Sequence, residues 1–306
     1  MSVPAAYMTV VLLWATTPLA IVWSVESMHP TLALLLRMGV ACVIGWMLLL
    51  LFRMKFPWCN KSRRIYVLSA FGITAGMSLS YVAAQYISSG LMSLVFGLSP
   101  IASAFFSRKL LDEKRLLPSQ KLAMLLALIG LSIVCYEKIN LNAESWKGIG
   151  LVFISVLTFS MSGVLMKRVA MPLNPVVSTV GALTFSMPVF LLIWLVFDGN
   201  VNIDQWTEKS VIAIVYSAIF GSIVGFVAYF YILNKLPMTT VALATIITPP
   251  LAIFIGSQLN DESVSIIFFV GTLVILAGLS FFQFGERLLK QIRYFHQCQK
   301  LRKLRP

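Results

Sequence analysis

Ten stretches of about twenty apolar residues follow one another along this chain, joined by connections of at most about twelve residues. They lie at roughly 6–26, 31–52, 65–86, 89–110, 118–136, 148–168, 175–197, 210–232, 237–258 and 264–285. An α-helix of about 20 apolar residues matches the hydrocarbon thickness of a bilayer. A membrane β-barrel instead uses strands of about ten residues that alternate apolar and polar, and runs such as Leu122 to Val134 do not alternate. Composition agrees. Charged residues make up only 11% of the 306, against about 25% in soluble domains, and mean hydropathy is +0.89. The pattern predicts an all-α integral membrane protein of ten transmembrane helices. No basic n-region or clear cleavage site precedes the first span, which is therefore expected to be retained.

The net charge is +13. On a soluble chain that would point to nucleic acid, but here the basic residues sit between and after the apolar stretches, so no nucleic-acid partner is expected. Arg53, Lys55, Lys61, Arg63 and Arg64 fall between spans 2 and 3. Arg108, Lys109, Lys114, Arg115 and Lys121 fall around the connection of spans 4 and 5. Lys167, Arg168 and Lys235 follow on the same side, as does a tail with seven more. The other side holds only Lys138, Lys147 and Lys209. This bias places both termini in the cytoplasm of a multi-pass protein of the cell (inner) membrane. The cysteines, Cys42, Cys59, Cys135 and Cys298, form no CxxC pair, so neither a disulfide framework nor a metal site is indicated.

The two halves resemble each other. Phe71-Gly72 with Gly76 recurs as Phe220-Gly221 with Gly225. Pro100 precedes Asp112-Glu113 as Pro249 precedes Asp261-Glu262, and Gly130-Leu131-Ser132 recurs as Gly278-Leu279-Ser280. The offset stays within one residue of 149. Five spans is an odd number, so the second half enters the membrane from the opposite side. The charges reverse accordingly: the connection of spans 9 and 10 is Asn260-Asp261-Glu262-Ser263, with no Lys or Arg. Two inverted five-helix repeats are expected, the first at 1–137 and the second at 146–286, followed by a basic cytoplasmic tail at 287–306. Inverted repeats suit alternating access, because the halves can exchange conformations about one site.

With these features the chain resembles the EamA-type bacterial branch of the drug/metabolite transporter superfamily. The resemblance runs from about residue 6 to 286. It rests on the duplicated unit, Trp14 with small and hydroxyl residues after it, Pro30 leading to Arg37, and the two proline–acid pairs. It implies a central cavity lined mostly by spans 1–4 and 6–9, with spans 5 and 10 peripheral, and transport of small organic solutes, often outward. The chain departs from exact duplication at Ala182, which stands where the first half has Arg37.

Arg37 is the only charge well inside a span, away from the span ends. Placing Arg in the membrane centre costs about 2.5–3.5 kcal/mol on insertion scales. Anchoring a substrate carboxylate, gating the outer mouth, snorkelling and pairing with Glu26 all remain open as its role. Thr74, Ser78, Tyr81 and Gln85 share one face of span 3. That stripe would line a cavity or pack against another helix. Trp14 with Thr17, Phe226 with Tyr229, and Thr245 with Thr248 are further candidates for the wall. Pro100 and Pro249 are candidate hinges or static kinks. Gly72, Gly76, Gly221 and Gly225, spaced by four, suit close helix packing.

No carboxylate falls in a span interior, all lying at span ends or in loops, and no P-loop is present, so ATP is not the driver. His29 and His296 lie outside the spans, which excludes an intramembrane HExxH protease. No catalytic residue, cofactor or metal is expected. The leading expectation is a secondary transporter, an exporter of neutral or zwitterionic metabolites such as amino acids, that meets its solute and membrane lipid. An organic-anion or phosphate-ester exchanger is the second reading. A membrane-bound enzyme or a non-transporting scaffold comes from other classes. Oligomeric state stays open, a homodimer among the options.

Overall fold

The computed structural model of the chain describes residues 2–111, 118–141, 143–169, 171, 173–237, 240–241, 244–282 and 285. Among them every regular element is helical and none is a strand. The helices are α1 (Val3–Ser24), α2 (Pro30–Leu51), α3 (Asn60–Ala83), α4 (Ser89–Leu110), α5 (Pro118–Leu141), α6 (Ser145–Val169), α7 (Pro175–Phe197), α8 (Glu208–Lys235), α9 (Ala244–Leu259) and α10 (Ile266–Phe282). Each falls on one of the apolar stretches. Seven of them, α1–α4 and α6–α8, are long and apolar enough to cross a membrane. The others contribute the shorter apolar helices Lys121–Val134, Ile247–Leu259 and Ile266–Phe282. The basic tail and the Asp112-Glu113 pair lie outside the described residues.

Local chemistry sets the helix ends. Pro30 and Pro175 open α2 and α7, where a missing amide hydrogen costs nothing. Ser2, Asn174 and Thr207 cap α1, α7 and α8 by accepting a first-turn amide. Two helices are irregular. At Pro100 the expected kink is instead a break: α4 is interrupted at Gly97-Leu98 and restarts at Ser99, with Pro100 in the new first turn. Pro249 and Pro250 do sit inside α9. Helix α8 widens to a π-helix over Ser217–Val224, between regular segments Glu208–Tyr216 and Gly225–Lys235.

The described residues form two compact units. One, within 1–113 and 138–264, holds α1–α4 and α6–α9. There α3 packs on α6 and α7, α2 on α7 and α8, α1 on α8 and α9, and α4 on α6 and α9. Small residues make the close approach between α3 and α6. A methyl added at Gly72 would fall 2.4 Å from Ser162, and one at Gly76 would fall 2.3 Å from the Phe159 ring. The Ser155 hydroxyl donates to the Gly76 carbonyl at 2.8 Å and the Ser162 hydroxyl to that of Leu68 at 2.7 Å, so the contact is also hydrogen-bonded. The other unit, within 114–137 and 265–306, holds most of α5 with α10. Gly130 sits against the backbone of Gly271 and Ile275, and Gly278 against that of Ala127.

The outward faces are apolar. Met47, Leu50, Leu192 and Phe254 are 63%, 73%, 59% and 64% exposed. Rows of such side chains on long helices, with backbone amides bonded inside each helix, suit hydrocarbon rather than water.

Candidate functional site

The first unit holds a cavity of about 130 Å³, walled by side chains from α1–α4, α6 and α8, with Val241, Thr245 and Thr248 from the α9 region. Much of the wall is apolar. Its polar groups are mostly hydroxyls: Thr17 on α1, Ser93, Ser99 and Ser103 on α4, and Ser160 and Ser162 on α6. The Ser103 hydroxyl is buried and has no partner among the described residues. Trp14 and Tyr229 meet on the cavity wall with ring centroids 5.5 Å apart, at an angle of 37°.

Among the described residues, Arg37 supplies the only charge on this wall. It is 1% exposed. Its Nε donates to Ser222 Oγ at 2.9 Å, and its Nη1 donates to the Tyr81 hydroxyl at 3.4 Å. The guanidinium carbon also lies 5.9 Å from the Tyr81 ring centroid. Among the described residues no carboxylate pairs with it. Glu26, the candidate partner, is instead bonded to Lys209 at 2.8 Å. Snorkelling and pairing with Glu26 are thus both replaced by burial against two hydroxyls. The π-helical segment of α8 makes this fit. It carries Gly221 and Ser222 to the guanidinium, and a methyl added at Gly221 would fall 2.9 Å from Nη2 and 3.3 Å from Thr17 Oγ1. π-Helical turns are frequent at functional sites.

The remaining candidates separate. Trp14, Thr17, Phe226, Tyr229, Thr245 and Thr248 stand on the wall with Arg37. Tyr81 stands behind it, fully buried, as a support for the guanidinium. Ser78 is off the wall, its hydroxyl buried without a partner among the described residues. Gln85 is exposed in the turn after α3, because the helix ends at Ala83. The face of α3 that meets the cavity is Ser69, Ile73, Met77 and Ser80, about one residue back from the polar stripe. The stripe's polarity misled because Tyr81 serves another side chain, while Met77 and Ile73 carry the wall. The α4 serines were readable: Ser99 and Ser103 are four apart and share a face. Gly221 carried the repeat signal, but nothing in the sequence marked it or Ser222 as meeting Arg37.

A family model described as "EamA-like transporter family" matches residues 3–136 and again 146–283. The protein PagO of Salmonella typhimurium is 25% identical over 277 residues, covering 86% of this chain and 87% of its own. The uncharacterized transporter YoaV of Bacillus subtilis is 22% identical over 91% of this chain and 96% of its own. The uncharacterized inner membrane transporter YedA of Escherichia coli is 24% identical over 90% and 89%. A crystal structure of an 18% identical protein covers 94% of this chain and 99% of that one with a TM-score of 0.70, a likeness of fold.

Proposed function

The chain belongs to the EamA-like transporter family, and from that premise we propose that it is a secondary transporter that exports small neutral or zwitterionic organic metabolites, amino acids among them, by alternating access. One observation favours the zwitterionic members of this class. A buried guanidinium without a carboxylate partner among the described residues lines an otherwise apolar and hydroxyl-bearing cavity. Such a group attracts one anionic oxygen pair. A singly charged carboxylate fits it, whereas a phosphate ester would leave much of its charge uncompensated. The aromatic faces of Trp14 and Tyr229 can take an apolar body or, through their π-clouds, an ammonium group.

Alternating access rests on the packing pattern. Exchanging each helix of the first half with the one five places on turns the α1–α8 contact into α6–α3, α1–α9 into α6–α4, and α2–α8 into α7–α3. The α2–α7 and α4–α9 contacts map onto themselves. That is the pattern two inverted repeats around a two-fold axis would have, and it supports ten membrane-crossing helices. The basic loops then put both termini in the cytoplasm.

The test compares solutes released by cells overproducing the protein with those released by cells making Arg37→Ala at equal membrane level. Selective release of carboxylated metabolites, lost in the variant, is expected. Release that the variant leaves unchanged would demote Arg37 to a structural group. Failure of purified protein to move any solute across vesicles would return the enzyme and scaffold readings.

A further inference from the structure

Beyond the cavity wall, one carboxylate ties three elements together. Glu262 lies in the turn between α9 and α10. Its Oε1 accepts the Ser89 amide at 2.9 Å and its Oε2 accepts the Gly90 amide at 3.0 Å. These are the first two residues of α4, whose amides have no acceptor within the helix. The positive end of the helix favours a carboxylate there. Asn260 Nδ2 donates to the same carboxylate at 3.4 Å, and Asn260 Oδ1 accepts the indole N–H of Trp23, near the end of α1, at 2.7 Å.

The surroundings are shaped to this contact. A methyl at Gly256 on α9 would fall 2.7 Å from Glu262 Oε2 and 2.8 Å from Ser89 Oγ. Asp261 holds a φ of +47°, in the left-handed region that few non-glycine residues adopt, and so turns the backbone just before Glu262. The clamp adjoins the cavity. Ile21 of the wall lies two residues before Trp23, and Met92 of the wall two residues after Gly90. It sits at the helix ends opposite the basic loops.

We infer that Glu262 is the latch of the extracytoplasmic mouth: while its carboxylate holds the start of α4, the α1, α4 and α9 ends stay together and the mouth stays shut. Releasing the two amides frees α4 from the α9–α10 turn and opens the cavity to that side. The inference rests on the transport reading above, including its orientation.

The test uses the full chain with Cys42, Cys59, Cys135 and Cys298 replaced by serine and with Ile21→Cys as the reporter. Right-side-out vesicles are treated with a membrane-impermeant maleimide from outside. Glu262→Gln, which cannot hold both amides as a charged pair, should raise the labelling rate about tenfold or more, the factor that losing one charge-assisted hydrogen bond carries. Gly256→Ala keeps the carboxylate but crowds it, and should raise the rate in the same direction. Should Glu262→Gln fail to reach the membrane, Gly256→Ala decides. A rate unchanged in the variants that do insert overturns the latch. Labelling reads the mouth directly, so a latch could hold in a chain that moved none of the solutes offered. Flux in the same vesicles tests transport separately.

Discussion

At the scale of the residue, Arg37 sets what the cavity can bind. Its two assigned hydrogen bonds, to Ser222 and Tyr81, go to neutral hydroxyls, so they orient the guanidinium without neutralising it. Lysine in this place would keep the charge but lose the planar fork that both hydroxyls and a carboxylate engage. Arg37→Lys should therefore lower kcat/KM for a carboxylated solute by about tenfold or more, since bonds to charged groups contribute about 1.5–3 kcal/mol. The loss should appear mainly as a higher KM, measured as initial uptake into proteoliposomes. Gly221→Ala should act in the same direction through geometry alone, because its methyl would press on Nη2 from 2.9 Å. If Gly221→Ala transports normally, the guanidinium has more freedom than this contact allows.

At the scale of the element, helices were legible and their rotations only partly so. Proline at the first turn and apolar runs of membrane length mark α2 and α7 without ambiguity. The inward face of α3 was harder to find. Membrane helices are apolar on most sides, so a polar stripe is the natural guide. On α3 that stripe ends in a residue that braces Arg37 and in one that leaves the helix for solvent. The π-helical turn of α8 left no readable trace, since widening one helical stretch changes which residues face inward without changing composition. Glycines were more informative. A methyl added at Gly130 or at Gly278 would fall 2.7 Å from a backbone nitrogen, of Ile275 or Ala127, so a side chain at either has nowhere to go. Gly130→Ala should destabilise the α5–α10 unit by about 1–3 kcal/mol, as overpacking does. Gly150, with nothing within 4 Å of an added methyl, should accept alanine with no loss. Thermal unfolding of the two variants in detergent checks both, and equal melting points would contradict the packing described.

At the scale of the whole molecule, internal repetition carried most of what the sequence disclosed, and charge placement sets the orientation expected of it. Both belong to this scale because lipid and the membrane potential act on the entire chain rather than on one contact. Cys59 offers a direct check of orientation. It is exposed in the basic connection before α3, and the Ser62 hydroxyl at 3.0 Å from its sulfur lowers the thiol pKa below the usual cysteine range. More thiolate is then present near neutral pH than for an ordinary thiol, and labelling should set in at lower pH. A variant keeping only this cysteine should react with an impermeant maleimide in inside-out vesicles and stay unlabelled in right-side-out ones. Labelling from the other face would invert the topology and move the Glu262 latch to the cytoplasmic side.

What no pattern of charges or repeats disclosed is the solute, because about 130 Å³ of hydroxyls and rings around one guanidinium admits many small molecules. The central claim is narrower: Arg37 is the anchor for a carboxylate inside a transport cavity. The measurement that meets it head-on is counterflow into proteoliposomes of purified protein, using solutes paired as carboxylate and carboxamide, with Arg37→Gln alongside. The account predicts that the carboxylate member of a pair moves, that its carboxamide moves at least about tenfold more slowly, and that Arg37→Gln abolishes the difference. Equal movement of both members, or a preference that survives Arg37→Gln, would contradict it.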